Sequence, residues 1–150
     1  MRLPCLPRDS VARMALCAVL VCTFVFSGKL AAAESSRGRS LIGSFGTSDS
    51  YSERNNISIW ISIKREGADY RLNFQGGGRA LHGHAPEGGG HGQISNGVFH
   101  FQFEDSFSNR GSGTFRRVGD HYLLRIEISD VAEPSIMSAY GETPLYRDKT

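Results

Sequence analysis

The sequence predicts an all-β fold: a small antiparallel up-and-down meander barrel, or a two-layer sandwich, of about eight or nine strands. Three observations predict it. Apolar residues alternate with polar ones at a period of two in segment after segment. Turn signals recur every 8 to 12 residues or so, at the spacing of short strands joined by hairpins. No segment after residue 33 shows a helical period.

The first 33 residues are expected to stand apart from that fold. Arg2, Arg8 and Arg13 make a positive start, and MALCAVLVCTFVF (residues 14–26) is an uncharged apolar run. Ala31-Ala32-Ala33 then offers the small residues of a cleavage site, the order of a secretory signal peptide. The run has 13 residues, and a spanning helix needs about 20. Residues 34–150 are expected to form one domain in the periplasm or outside the cell, with no membrane span. Cys5, Cys17 and Cys22 all fall in the leader. A domain without disulfides points to a bacterial source over a eukaryotic secreted one. The chain's 17 basic and 15 acidic residues fall to 13 and 14 once Arg2, Arg8, Arg13, Lys29 and Asp9 leave. Such a balance lacks the clustered cations of a nucleic-acid footprint.

The predicted strands run near 41–46, 57–64, 69–75, 79–84, 91–95, 98–104, 113–118, 121–129 and 136–146, the last interrupted near Gly141. ISIWISIK (57–64) puts Ile57, Ile59, Ile61 and Ile63 on one face and Ser58, Trp60, Ser62 and Lys64 on the other. Tyr70, Leu72 and Phe74 repeat the pattern, as do Phe99, Phe101 and Phe103, and Tyr122, Leu124, Ile126 and Ile128. Asn96-Gly97 is a strong hairpin signal. Gly119-Asp120 joins TFRRV to HYLLRI, and Arg65 to Ala68 joins the isoleucine strand to the next. These turns predict the pairs Ile94 with Phe99, Phe115 with Leu124, and Ile63 with Tyr70, apolar against apolar each time. TSDSYSERNN (47–56) and EDSFSNRGS (104–112) are the long polar loops.

HGHAPEGGGHG (82–92) carries three histidines among glycines. A hairpin of 79–84 against 91–95, around a loop Ala85–Gly90, would set His84 opposite His91 and His82 opposite Gln93. The Asn96-Gly97 turn would add His100 to the same outer face. His82, His84, His91 and His100 would then form a candidate site for zinc or copper, since opposed Cβ atoms lie roughly 4.5–5.5 Å apart and imidazole suits both metals. Glu87 would offer a carboxylate. The plainer reading is a solvated polar turn.

Trp60, the chain's only tryptophan, faces away from the isoleucines. With Arg71 and Asn73 on the paired strand it is a candidate contact for a partner, because tryptophan and arginine anchor interfaces. NRGSGTFRR (109–117) adds Arg110, Ser112 and Arg116 to that set. No helix follows its glycines, so the loop has no phosphate-cradling form. No cysteine nucleophile remains after the leader, and no G-x-S-x-G elbow or spaced triad occurs. The sequence thus predicts no catalytic residues and no required cofactor. It predicts an exported, non-enzymatic binding protein whose partner is another protein, of an inhibitor or immunity type. The alternatives are metal binding by the histidines and carriage of a small hydrophobic ligand.

Overall fold

The structure, a computed structural model, describes residues 40–148; the expected signal peptide lies outside them. Eight antiparallel strands follow one another in sequence order and close into a barrel. They are β1 (Gly43–Gly46), β2 (Ser58–Glu66), β3 (Asp69–Gly77), β4 (Glu87–Ser95), β5 (Val98–Asp105), β6 (Arg110–Val118), β7 (His121–Asp130) and β8 (Gly141–Arg147). The sandwich alternative is excluded by closure. β1 pairs with β8 through Phe45–Arg147 and Gly46–Tyr146, and that short seam removes both sheet edges.

One end of the barrel, here called the upper end, has tight turns. Glu66 pairs with Asp69, Ser95 with Val98 and Val118 with His121, leaving two residues in each loop. Asn96 and Gly97 both have positive φ, as a type I′ turn requires, and Gly67 and Gly119 take the positive-φ first position that suits glycine in type II′. The pairs Ile94–Phe99 and Phe115–Leu124 stand as the sequence predicts. Ile63, however, pairs with Leu72, and Tyr70 pairs with Arg65. The loop is two residues long rather than four, so the register moves by two and every side chain keeps its face.

The lower end carries the longer connections. Residues 49–55, expected as loop, form the helix α1 (Asp49–Asn55), capped by the Ser48 hydroxyl accepting from the Tyr51 amide at 3.3 Å. None of its residues is buried, so it has no apolar stripe that a sequence reading can detect. The predicted strand 79–84 does not form. Arg79–Leu81 is a 3-10 turn, His82 follows in the left-handed region, and Leu81 is fully buried at the lower end. Gly78 (φ +127°) makes the turn-off: a Cβ there would lie 2.2 Å from the Asn56 carbonyl oxygen. The predicted last strand is likewise split. Pro134–Ala139 is a 3-10 helix, and β8 begins at Gly141.

The interior is filled. Phe45, Phe99 and Phe115 are fully buried, and Ile59, Ile63, Leu72, Leu124 and Leu145 are nearly or fully so. Large side chains fill a barrel of about this strand number. Room for Phe101 and Phe103 comes from inward-facing glycines on the flanking strands. Phe101 pairs with Gly92 and Gly113, and Phe103 with Gly90 and Gly111. A Cβ on Gly113 would meet the Phe101 ring at 2.3 Å, and one on Gly92 would meet the His100 backbone oxygen at 1.8 Å. These glycines are barrel corners, where strands bend and backbones approach. The run Gly88–Gly90, expected in a loop, therefore belongs to β4.

Candidate functional site

The strand that was to hold His82 and His84 is absent, and the four-histidine cluster goes with it. β4 begins at Glu87 and pairs with β3, opposing His91 to Arg71 instead of His84. His82 closes the 3-10 turn, its amide donating to the Arg79 oxygen at 3.2 Å. His84 lies half-buried at the lower end, its ring edge-on to Phe107 at 5.3 Å. His91 and His100 do share the outer wall, on neighbouring strands. Among the described residues, no group of three or more His, Cys, Asp or Glu side chains is placed to hold a metal.

Outside, side chains fall into two cross-strand ladders over β4 to β7. One reads His91–Gln102–Ser112–Glu127 and the other Gln93–His100–Thr114–Arg125. They line an open depression of about 640 Å³. Arg125 and Glu127 bind one another at 2.5 Å, and the Gln93 amide donates to Asp69. Among the described residues, the side chains of His91, His100, Gln102, Ser112 and Thr114 make no hydrogen bond to another residue. The predicted contacts Arg110, Ser112 and Arg116 all lie on the outer face of β6 and are exposed. Arg110 binds Glu104 at 3.0 Å, a contact that raises its pKa further above the ordinary value. Arg116 is opposite Leu123, as expected.

Trp60 occupies a different wall. A row of outer positions runs Tyr146–Gly46–Trp60–Gln75–Glu87 across β8 to β4. Beside it runs Ser44–Ser62–Asn73. Trp60 is 46% exposed and Tyr146 42%. A Cβ on Gly46 would lie 3.0 Å from Cδ1 of Trp60, and one on Gly77 would lie 3.8 Å from its Cζ3. The indole thus reaches from β1 towards β3, over positions where the chain carries only hydrogen. Arg71 stands opposite His91 and so extends the His91–Gln102–Ser112–Glu127 ladder instead; it faces Glu66 at 3.8 Å, an exposed pair of small energetic weight. The five predicted partner contacts therefore divide into two surfaces, Trp60 on one and Arg71, Arg110, Ser112 and Arg116 on the other. Asn73, expected beside Trp60, does lie next to it on this wall; Tyr146 and Gln75 were not singled out from the sequence, although alternation along their strands already marks them as outward.

The buried polar groups serve the lower end. Asp105 Oδ1 accepts from the amides of Phe107 (2.8 Å) and Asn109 (2.9 Å), while Oδ2 accepts from Asn109 Nδ2 (2.8 Å) and from the Tyr140 hydroxyl. Asn109 Oδ1 accepts from the amides of Ala132 and Glu133, both at 2.8 Å. Burial, then the hydrogen bond to Asp105, push the Tyr140 pKa well above the ordinary phenol value. Among the described residues no buried side-chain nitrogen or oxygen lacks a partner. No helix among them is long and apolar enough to cross a membrane.

No family model matches the chain. No curated protein matches it. Among solved structures it is similar to a de novo designed fluorescence-activating β-barrel, with 18% identity and a TM-score of 0.46 over 74% of this chain and 96% of the designed one.

Proposed function

We propose that this chain is a non-enzymatic binding protein, exported to the periplasm or beyond the cell, that grips another protein with the outer wall of β4 to β7. One observation carries the reading: two ladders of polar side chains converge on a depression, and five of those side chains have no partner within the described protein. Unpaired amides, hydroxyls and imidazoles on a rigid sheet are available for intermolecular hydrogen bonds. The flanking Arg110 and Arg116 add exposed guanidinium groups of the kind enriched in interfaces. The filled interior supports a function on the outside over carriage of a small hydrophobic ligand. The buried carboxylate of Asp105, held by four donors, supports a structural role for that group over a chemical one.

The test is capture from envelope extracts of the source organism with the wild-type domain and with a Ser112→Arg/Arg116→Glu double variant. A partner retained by the wild type and lost by a variant of equal Tm is the expected result. A partner retained equally by both would remove the β6 wall from the proposal. Absence of any stoichiometric partner would remove the protein-binding reading itself.

A further inference from the structure

The wall of β1 to β4 is a separate surface with its own chemistry. We infer that it is a binding site for an uncharged oligosaccharide, laid across the strands with one ring stacked on Trp60. This goes beyond the protein-binding reading and does not depend on it.

The indole is the first argument. Almost half exposed, it extends from above Gly46 towards Gly77, two positions without a side chain to lift it. An aromatic ring face carries negative partial charge, and the polarised C–H bonds on one face of a pyranose ring are attracted to it. The neighbouring groups are the second argument. Gln75 and Glu87 continue the row beyond Trp60, and Ser62 and Asn73 lie beside it. The bonds among them are long: Gln75 Nε2 to Glu87 Oε1 is 3.4 Å, and Asn73 Nδ2 to Ser62 Oγ is 3.3 Å. Amide, carboxylate and hydroxyl groups each keep further donor or acceptor capacity, and together they match the mixed donor and acceptor character of sugar hydroxyls.

Charge and topology narrow the ligand. The depression here has a volume of about 830 Å³, and its charged lining groups are the two carboxylates Glu87 and Asp148, with no basic side chain among them. Phosphates, sulfates and sugar acids would be repelled. An extended peptide usually docks by adding to a free strand edge, and a closed barrel offers none here. The step from β1 to β4 spans three strand spacings, about 14 Å, longer than a single sugar ring and suited to a short chain of them.

Trp60 is the only tryptophan, so emission excited selectively in the tryptophan band reports on this wall alone. The experiment titrates the domain with cellotetraose, chitotetraose and maltotetraose, and with a sulfated glycosaminoglycan tetramer and a lysine-containing peptide as controls. The expected result is a saturable emission change with at least one neutral tetrasaccharide. Affinity should fall about tenfold or more in Gln75→Ala and Asn73→Ala, which keep the reporter. Calorimetry on Trp60→Ala should show the binding lost with Tm retained. The Ser112→Arg/Arg116→Glu variant should titrate like wild type, which separates this site from the β6 wall. No saturable change with any neutral tetrasaccharide, a response confined to either control, or binding indifferent to Gln75 and Asn73 would overturn the inference.

Discussion

The guanidinium of Arg147 lies 4.8 Å above the ring centroid of Phe45, its partner across the seam of the barrel. The same group lies 5.8 Å from the Tyr122 ring, donates to the Ile42 oxygen at 3.0 Å, and also donates to the Ser40 oxygen. β1 and β8 share only two register pairs, so this side chain reinforces the least extensive junction between strands. Arg147→Ala should cost about 2–3 kcal/mol, combining a cation–π contact with charge-assisted hydrogen bonds. Urea unfolding measures the loss. Native-state hydrogen exchange should show β1 and β8 amides opening ahead of those in β5 and β6, and Arg147→Lys should recover only part of the difference.

Corner glycines should be intolerant where the neighbour is backbone. Gly92→Ala places a methyl carbon 1.8 Å from the His100 oxygen. The strand must move, at a cost of about 3 kcal/mol or more. Gly77→Ala meets only the Trp60 ring at an ordinary 3.8 Å and should change stability by less than about 1 kcal/mol. Denaturation midpoints of the pair would decide it. Equal costs would mean that β4 can straighten at Gly92.

Tyr140 ties the pH response to the lower end. Its pKa is raised in the folded protein by burial and by Asp105. In the unfolded chain the phenol ionises near pH 10. Below that pH both states hold the proton and the contribution is complete. As pH rises above about 10 the unfolded state loses its proton first, and stability falls. Tyr140→Phe should lower stability by about 1–2 kcal/mol at neutral pH through the lost hydrogen bond, and should flatten the decline above pH 10. A parallel decline in both proteins would mean that the phenol does not contribute to it.

Among the four predicted histidines, any affinity for zinc should reside in His91 and His100, which alone share the outer wall. The His82→Ala/His84→Ala double variant should titrate like wild type in calorimetry, because those two rings lie at the lower end. The His91→Ala/His100→Ala variant should lose whatever heat is seen. The reverse result would restore the hairpin of 79–84 with 91–95.

The period-two signal made most strands legible, because a half-buried sheet forces apolar residues onto alternate positions. It was robust even to an error in register: the Ile63–Tyr70 pairing was off by two, and the face of every residue survived. It failed in HGHAPEGGGHG for two physical reasons. Leu81 had to be buried, but a 3-10 turn folded under the barrel buries it as well as a strand does. The glycines were read as loop because glycine is generally depleted in strands. In β4 they are selected by the aromatic rings and backbone atoms that crowd them, and those neighbours lie on other strands. The candidate surfaces were half legible. Outwardness of Trp60, Arg71 and Arg116 followed from alternation, whereas Arg110 and Ser112, expected in the loop 104–112, are outward because β6 begins at Arg110. Their division into two walls follows from strand order around the barrel, and no single segment contains that information.

The strictly sequential order of the strands also governs how the molecule forms. Seven of the eight strand contacts join neighbours in the chain, through connections that are short at the upper end. Hairpins of this kind form in about 1–10 μs and lower the contact order of the whole. The β8–β1 contact is different, since it joins segments roughly a hundred residues apart and bears the largest loop-closure entropy. Pairing of β1 with β8 is therefore expected to form last, and hydrogen exchange during refolding should show their amides protected after those of the β2–β7 hairpins. Two copies caught before that step can satisfy one another's edges. Refolding at high concentration should then yield some strand-exchanged dimer, in which β8 of one copy completes the cylinder of the other, detectable by size-exclusion chromatography.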